Sequence, residues 1–324
     1  MIKEVNSPRL KNPLFIAAWP GMGEVAYRAA LFLKEVMGFK MFAKLEAGRF
    51  FKPAAVIVEK GIINLPAIPA GFFYYVKGKN FPDIILFLGE AQPPLEYAEI
   101  FSSSIAEFAR RYKASFLLTF AAKPEPIDHH AEPAVWIAAT DNEVFDEYAP
   151  RRLKILTDGQ ISGLNGIILG VGKKKKMKGA CLLAEIPFYT VQVENPRATL
   201  AVLKVINEHF KLNLNLAPMV ERSKFIEEEI DKLVGYLKGE QGPQGPSPLS
   251  EEDIEKIKKD LSAYSKLPQS AVESIERMFK EAQSDIAGAG KLKAELDRWN
   301  IYKEYEDRFL DLFKKKDDKN PPQQ

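Results

Sequence analysis

Several places in the chain put polar or conformationally unusual residues where chemistry could be done. Trp19-Pro20-Gly21-Met22-Gly23 follows the apolar run Leu14-Phe15-Ile16-Ala17-Ala18. Glycines in such a turn let a helix N-terminus approach an anion, and a phosphate held by backbone N–H groups is the chemistry that fits. The stretch lacks the full dinucleotide fingerprint and the Walker lysine. It reads first as a strand-to-helix turn and second as a turn that touches a ligand. Glu90, Gln92 and Glu185 also follow apolar runs and could supply polar groups to the same pocket. Side chains of this kind equally cap helices and close turns. Asp128-His129-His130-Ala131-Glu132 offers the imidazole and carboxylate ligands that zinc takes. Consecutive histidines rarely converge on one ion, and Pro124, Pro126 and Pro133 mark a loop, so the stretch reads as solvent-facing and no metal site is assigned.

Three further features read as structural. Residues 173–176 and Lys178 form a lysine run basic enough to attract phosphate, but without the interleaved aromatics of a nucleic-acid surface. Cys181 sits among apolar residues of a strand, as an inert buried thiol does. Ser102-Ser103-Ser104 lies inside a helical pattern with no nucleophile elbow around it. No catalytic set emerges, and neither a cofactor nor an enzymatic activity is expected. Gly21, Met22, Gly23, Glu90, Gln92 and Glu185 stand as the candidate ligand-binding residues.

The elements that must position these residues follow from hydrophobic periodicity. Residues 14–18 and 83–89 are apolar without alternation, as parallel strands buried on both faces are. Residues 115–121, 135–139 and 179–185 read the same way. A helical stripe of Val25, Ala26, Ala29, Ala30, Leu33 and Val36 follows the first turn, and Ile100, Phe101, Ile105, Phe108 and Ala109 form a second. Residues 163–169 open another helix, and Pro196 stands at the N1 position of one that runs through Phe210. Residues 55–59 and 72–76 read as short strands of an edge hairpin. Strands alternating with helices imply a mostly parallel sheet covered on both faces, with ligands beyond the carboxyl ends of the strands. The polar positions at 20–23, 90–92, 122–123, 140–141 and 185 all gather at that edge.

From residue 218 the composition changes. Val220, Ile226, Ile230, Leu233, Val234 and Leu237 recur at helical spacing amid charge, and a Gly/Pro/Gln linker covers residues 239–248. Ser250-Glu251-Glu252-Asp253 and Ser270-Ala271-Val272-Glu273 resemble capping boxes. Three stripes follow: Ile254, Ile257, Leu261; Ile275, Met278, Phe279, Ala282; and Leu292, Leu296, Trp299, which continues with Tyr302, Tyr305, Phe309 and Leu312. The expected organisation is an α/β domain over residues 1–217 and an all-helical C-terminal extension over 218–324.

The 324 residues carry a formal charge of +2, so only local patches could attract a nucleic acid, and none is expected to. The single cysteine excludes an intramolecular disulfide and a multi-cysteine zinc site. No apolar run approaches the ~20 residues of a spanning helix, and the amino end lacks a signal-peptide pattern. The expectation is a soluble cytoplasmic protein without a membrane partner.

The chain resembles the proteasome assembly chaperone 2 family. The matching features are Trp19-Pro20-Gly21-Met22-Gly23, Leu88-Gly89-Glu90-Ala91-Gln92-Pro93, Gly159-Gln160-Ile161-Ser162-Gly163-Leu164-Asn165-Gly166, and residues 179–189 ending Glu185-Ile186-Pro187-Phe188-Tyr189. They span roughly residues 10–212. The resemblance implies a three-layer α/β/α fold, phosphorylase-like, and homo-oligomers. It also implies assembly-chaperone action on protein clients, since eukaryotic and archaeal relatives act on proteasome subunits. Archaeal relatives dock through a C-terminal hydrophobic-Tyr-x tail, which Pro321-Pro322-Gln323-Gln324 does not match, so proteasome subunits are not the expected partner. The resulting expectation is a non-enzymatic homo-oligomeric binding or assembly protein. The alternative is an enzyme or sensor that binds a small phosphate- or nucleoside-like ligand at the carboxyl edge. The aromatic segment with Phe50, Phe51, Phe72, Phe73, Tyr74 and Tyr75 is the expected apolar interface.

Overall fold

A computed structural model describes residues 2–53, 55–114, 116–148, 153–237, 269–298 and 301–313. The expected linker at 239–248, the capping signal at 250–253, the stripe of Ile254, Ile257 and Leu261, Trp299, and residues 314–324 lie outside the described residues. The chain divides into two compact units, residues 1–264 and 265–324.

In the first unit the strands are β1 (Ile2–Glu4), β2 (Leu14–Ala18), β3 (Lys40–Glu46), β4 (Ile57–Glu59), β5 (Ile62–Asn64), β6 (Ala70–Val76), β7 (Ile84–Gly89), β8 (Phe116–Glu125), β9 (Val135–Ala139), β10 (Lys154–Ile155) and β11 (Lys178–Pro187). The helices are α1 (Val25–Val36), α2 (Ala98–Arg111), α3 (Asn142–Tyr148), α4 (Leu164–Lys174), α5 (Pro196–Phe210) and α6 (Ala217–Leu237). Nine strands form one sheet in the order β1-β3-β6-β7-β2-β8-β11-β9-β10, and β4 and β5 form a separate two-stranded sheet. The central strands β7, β2, β8 and β11 run parallel, with Ile16 level with both Leu86 and Leu118. Antiparallel pairs β3–β6, β6–β7 and β11–β9 flank them.

Side chains alternate across a strand, so β2 feeds two cores. Leu14, Ile16 and Ala18 join Leu86, Leu118 and Leu182 beneath α1 and α5, where Ala29, Leu33, Val202 and Ile206 are buried. Phe15, Ala17 and Trp19 join Phe73, Phe87 and Leu117 beneath α2 and α4, where Phe101, Ile105, Phe108 and Ile168 are buried. Helices thus cover both faces of the sheet in three layers. Each central strand lacks hydrophobic alternation because neither of its faces meets water.

Helix starts follow local chemistry. Pro196 opens α5, and the Asn195 side chain accepts from the Ala198 N–H at 3.0 Å. The short helix α3, unanticipated from the sequence, is started by Asp141, whose carboxylate accepts from the Val144 N–H at 3.2 Å.

Two expectations are corrected. The strand at residues 72–76 is β6, which lies between β3 and β7 and forms no edge hairpin with residues 55–59. The aromatic segment is also not the exposed patch. Phe50 and Phe73 are buried, and Phe73 meets Phe108 and Phe87 at centroid distances of 4.4 and 4.7 Å. The outer rings of Phe72 and Tyr74 are covered by the ammonium groups of Lys44 and Lys34. Aromatic side chains bury well on α2 because that helix supplies rings of its own, Phe101 and Phe108 at i and i+7, on one face.

The second unit contains α7 (Gln269–Ser284), α8 (Ala289–Arg298) and α9 (Tyr302–Asp311). Ile275, Phe279, Ala282, Leu292, Leu296 and Phe309 make its core. Arg308 pairs with both oxygens of Glu276 at 2.5 and 2.7 Å and lies over the Phe279 ring at 4.1 Å. The described stripes of α7, α8 and α9 are buried on one another, as single amphipathic helices require. The described buried residues of both cores of the first unit all lie at or before Met219. A chain ending at Gly239 is therefore expected to stay soluble and melt cooperatively, measured by circular dichroism. Insolubility or a non-cooperative melt would show that residues beyond 239 belong to the core.

Candidate functional site

At the carboxyl edge the structure joins the glycine turn to the motif segments at 88–93 and 159–166. Trp19, fully buried, donates its backbone N–H to Asn165 Oδ1 at 3.1 Å, and its backbone carbonyl accepts from Asn165 Nδ2 at 3.3 Å. Gln92 Nε2 donates to the Pro20 carbonyl at 2.7 Å, while Gln92 Oε1 accepts from the Leu164 N–H at 2.8 Å. Gln92 is thereby both the strap on the turn and the N-terminal cap of α4, whose first N–H groups lack intrahelical partners. Gly23 has φ +59°. Its N–H donates to the Val191 carbonyl at 2.8 Å, and its carbonyl accepts from the Asn195 N–H at 2.9 Å. Met22 is half-buried against the α1/α5 core. Three of the motif segments, 19–23, 88–93 and 159–166, are thus each other's hydrogen-bond partners, and the turn is tied to residues 191 and 195 just past the fourth.

Of the six candidate residues, Gly21, Met22, Gly23 and Gln92 meet in this clasp. Glu90 and Glu185 do not. Glu90 accepts from the Ala70 N–H at 2.8 Å and closes the end of the β6–β7 pair. Glu185, buried, accepts from the Ala134 N–H at 3.1 Å, Trp136 Nε1 at 2.8 Å and Lys154 Nζ at 3.1 Å. The ammonium groups of Lys123 and Lys154 lie over the Trp136 ring at 4.3 and 5.0 Å. Three strand spacings separate β7 from β11, about 14 Å. Asn165 was not singled out in the sequence. Its signal is an asparagine between glycines at a helix start, where a side-chain amide reaches backbone groups.

The histidine stretch has a geometry that its sequence does not suggest. His129 Nε2 and His130 Nε2 each lie 2.9 Å from the same oxygen, Asp231 Oδ1, on α6. His129 is buried, and its Nδ1 lies 2.8 Å from the Tyr189 hydroxyl. Hydrogen bonds from His129 and then His130 hold the Asp231 carboxyl below its usual range. The bond to Asp231 raises His130 above the ordinary imidazole value. Burial pushes the Tyr189 hydroxyl up to about 12. Beside them, Glu227 accepts from Arg197 Nε and Nη2 at 2.6 Å each and from Ser223 at 2.7 Å. Burial alone would raise the Glu227 carboxyl, but the bonds from Arg197 and Ser223 outweigh it and hold it low. Sequence reading missed Asp231 because it lies 102 residues from His129. The available signal was the i, i+4, i+8 spacing of Ser223, Glu227 and Asp231 on one face of α6.

The remaining candidates take structural roles. Lys174 and Lys175 lie beside Glu99 and Glu107 of α2 at 2.7 and 3.6 Å, and Lys178 pairs with Glu143. Burial pushes the Cys181 thiol up to about 12, which removes the thiolate that a nucleophile needs. Ser102 is buried within α2. Among the described residues, no helix is long and apolar enough to cross a membrane.

A mixed sheet between two helical layers, with its carboxyl-edge turns bound to one another, defines an α/β/α protein built around an internal clasp. The chain belongs to the PAC2 family, whose model matches residues 15–234. An uncharacterised protein of Methanocaldococcus jannaschii, MJ1210, is 25% identical over 249 residues, covering 76% of this chain and 93% of that protein. PbaB of Pyrococcus furiosus, described as an archaeal proteasome activator, is 25% identical with a TM-score of 0.62, over 72% of this chain and 98% of PbaB. PbaA of the same organism, described as an archaeal homologue of proteasome-assembly chaperone, has a TM-score of 0.56 at 24% identity, over 71% of this chain and 95% of PbaA, and shares the fold.

Proposed function

We propose that this chain is a non-enzymatic, homo-oligomeric binding or assembly protein that acts on a protein client. The observation that carries this reading is the β4–β5 hairpin. Val56, Ile57, Val58, Ile62, Ile63, Leu65 and Ile68 are 44–72% exposed in one segment. Lys60 and Gly61 both have positive φ, as a two-residue hairpin turn of type I′ requires. The hairpin is apolar on consecutive residues, so neither face suits water, and a lone two-stranded sheet is marginal in isolation. A second copy of the same hairpin is the occupant that fits, because a two-fold contact pairs a self-complementary patch with itself. The family membership and the likeness to a proteasome activator support a protein client, with proteasome subunits as one class to test. In this reading the turn residues and Gln92 serve the clasp, while the carboxylates of Glu90 and Glu185 are engaged elsewhere within the chain.

Hydrogen exchange of the full-length chain tests it. The amides of residues 57–64 are expected to be protected at micromolar concentration and to lose protection on dilution and in Ile63→Asp. Exchange as fast as an open loop at every concentration would contradict the reading.

A further inference from the structure

The polar cluster on the α5/α6 side has the composition and spacing of a cation site. The Ala131 N–H donates to the Asp128 carbonyl at 3.0 Å, and the His130 N–H donates to Asp128 Oδ1 at 2.8 Å. This tight turn sets the two imidazoles side by side, with centroids 4.3 Å apart, so consecutive histidines point the same way. Both Nε2 atoms then lie 2.9 Å from Asp231 Oδ1. Ligand atoms about 2.0–2.2 Å from a tetrahedral ion stand roughly 3.3–3.5 Å from one another, so small side-chain shifts would admit an ion between them. The Tyr189 hydroxyl at His129 Nδ1 is the outer partner that orients a ligating imidazole and leaves Nε2 to the metal. Asp128, His129 and His130 also place ligand-type atoms within 4.8 Å of one another, with Asp128 Oδ2 3.9 Å from His129 Nδ1, on the outer side of that ring. The neighbouring cations are already engaged: Arg197 by Glu227, and Lys204 by Glu132. His130 and Asp231 are about half-exposed, which leaves a route in from solvent.

We propose that His129 Nε2, His130 Nε2 and the Asp231 carboxylate form a binding site for a divalent transition-metal ion of the zinc class, with Tyr189 as a positioning residue. Two imidazoles and a carboxylate suit Zn²⁺, Co²⁺ and Ni²⁺ better than Mg²⁺ or Ca²⁺, which take oxygen ligands. Three protein ligands leave a fourth position for water. A bound ion would tie the loop at 126–133 to α6, and so hold α6 to the body.

The test uses the full-length chain, free of any histidine tag and stripped with chelator, titrated with Zn²⁺ by calorimetry and with Co²⁺ by visible absorption. About one equivalent is expected to bind, with a tetrahedral Co²⁺ spectrum. His130→Gln and Asp231→Asn replace half-exposed side chains and are expected to keep the wild-type circular dichroism while weakening binding at least about tenfold, and Tyr189→Phe roughly tenfold. His209→Gln, remote from the cluster, keeps full affinity. Absence of saturable binding by the wild-type chain, or binding of equal strength in folded His130→Gln and Asp231→Asn, would overturn the proposal.

Discussion

Gly23→Val is expected to lower the melting temperature far more than Cys181→Ala. Gly23 sits at φ +59°, where a β-branched residue is strained by on the order of 1–3 kcal/mol. A Cβ there would also lie 3.3 Å from both Asn195 Cβ and Ile186 Cδ1, side chains fixed by a helix cap and a central strand. Overpacking of this kind adds about 1–3 kcal/mol. At roughly 2–4 °C per kcal/mol, the melt falls by about 5–20 °C. Cys181→Ala removes one buried atom and no hydrogen-bonded group of the clasp, which costs on the order of 1 kcal/mol. Thermal melts at one fixed protein concentration compare them. A Gly23→Val melt within a degree of wild type would mean that the turn is not held as described.

Phe73→Ala is the second large loss expected. The ring is fully buried and contacts Phe87 and Phe108, with Phe42 at 6.2 Å. Truncation of such a ring costs about 3–5 kcal/mol in transfer and cavity terms. The effect belongs to folding, so denaturant unfolding shifts while any oligomer that still forms keeps its size. Ile63→Asp is expected to behave oppositely: the side chain is 68% exposed, so monomer stability stays while association is lost. If Phe73→Ala left stability unchanged and altered only the assembly, the aromatic segment would be an interface after all.

Much of the fold is legible because the central strands obey one rule: strands buried on both faces are apolar throughout. β2, β7 and β11 are readable from residues 14–18, 83–89 and 179–185 on that ground, and α5 is readable from Pro196 at its N1 position. The family is legible through the glycine-bearing turns. What those turns do is less so. Gln92 and Asn165 act on Pro20, Leu164 and Trp19 across 72 to 146 residues of sequence, and no local pattern announces such partners. The aromatic segment misled because aromatic density is the same signal for an interface and for a core. Only the placement of β6 inside the sheet separates them. Likewise, Asp128-His129-His130 reads as a solvated loop until α6 brings Asp231 to both rings. Long-range contacts decide the site, whereas short-range patterns decide the elements.

The central claim is self-association through the β4–β5 hairpin, and light scattering of the full-length chain at micromolar concentration tests it most directly. A mass at a whole multiple of 36.5 kDa is predicted for the wild type, falling to 36.5 kDa in the Ile63→Asp, Leu65→Asp double variant with unchanged circular dichroism. A wild-type mass of 36.5 kDa at that concentration would contradict it.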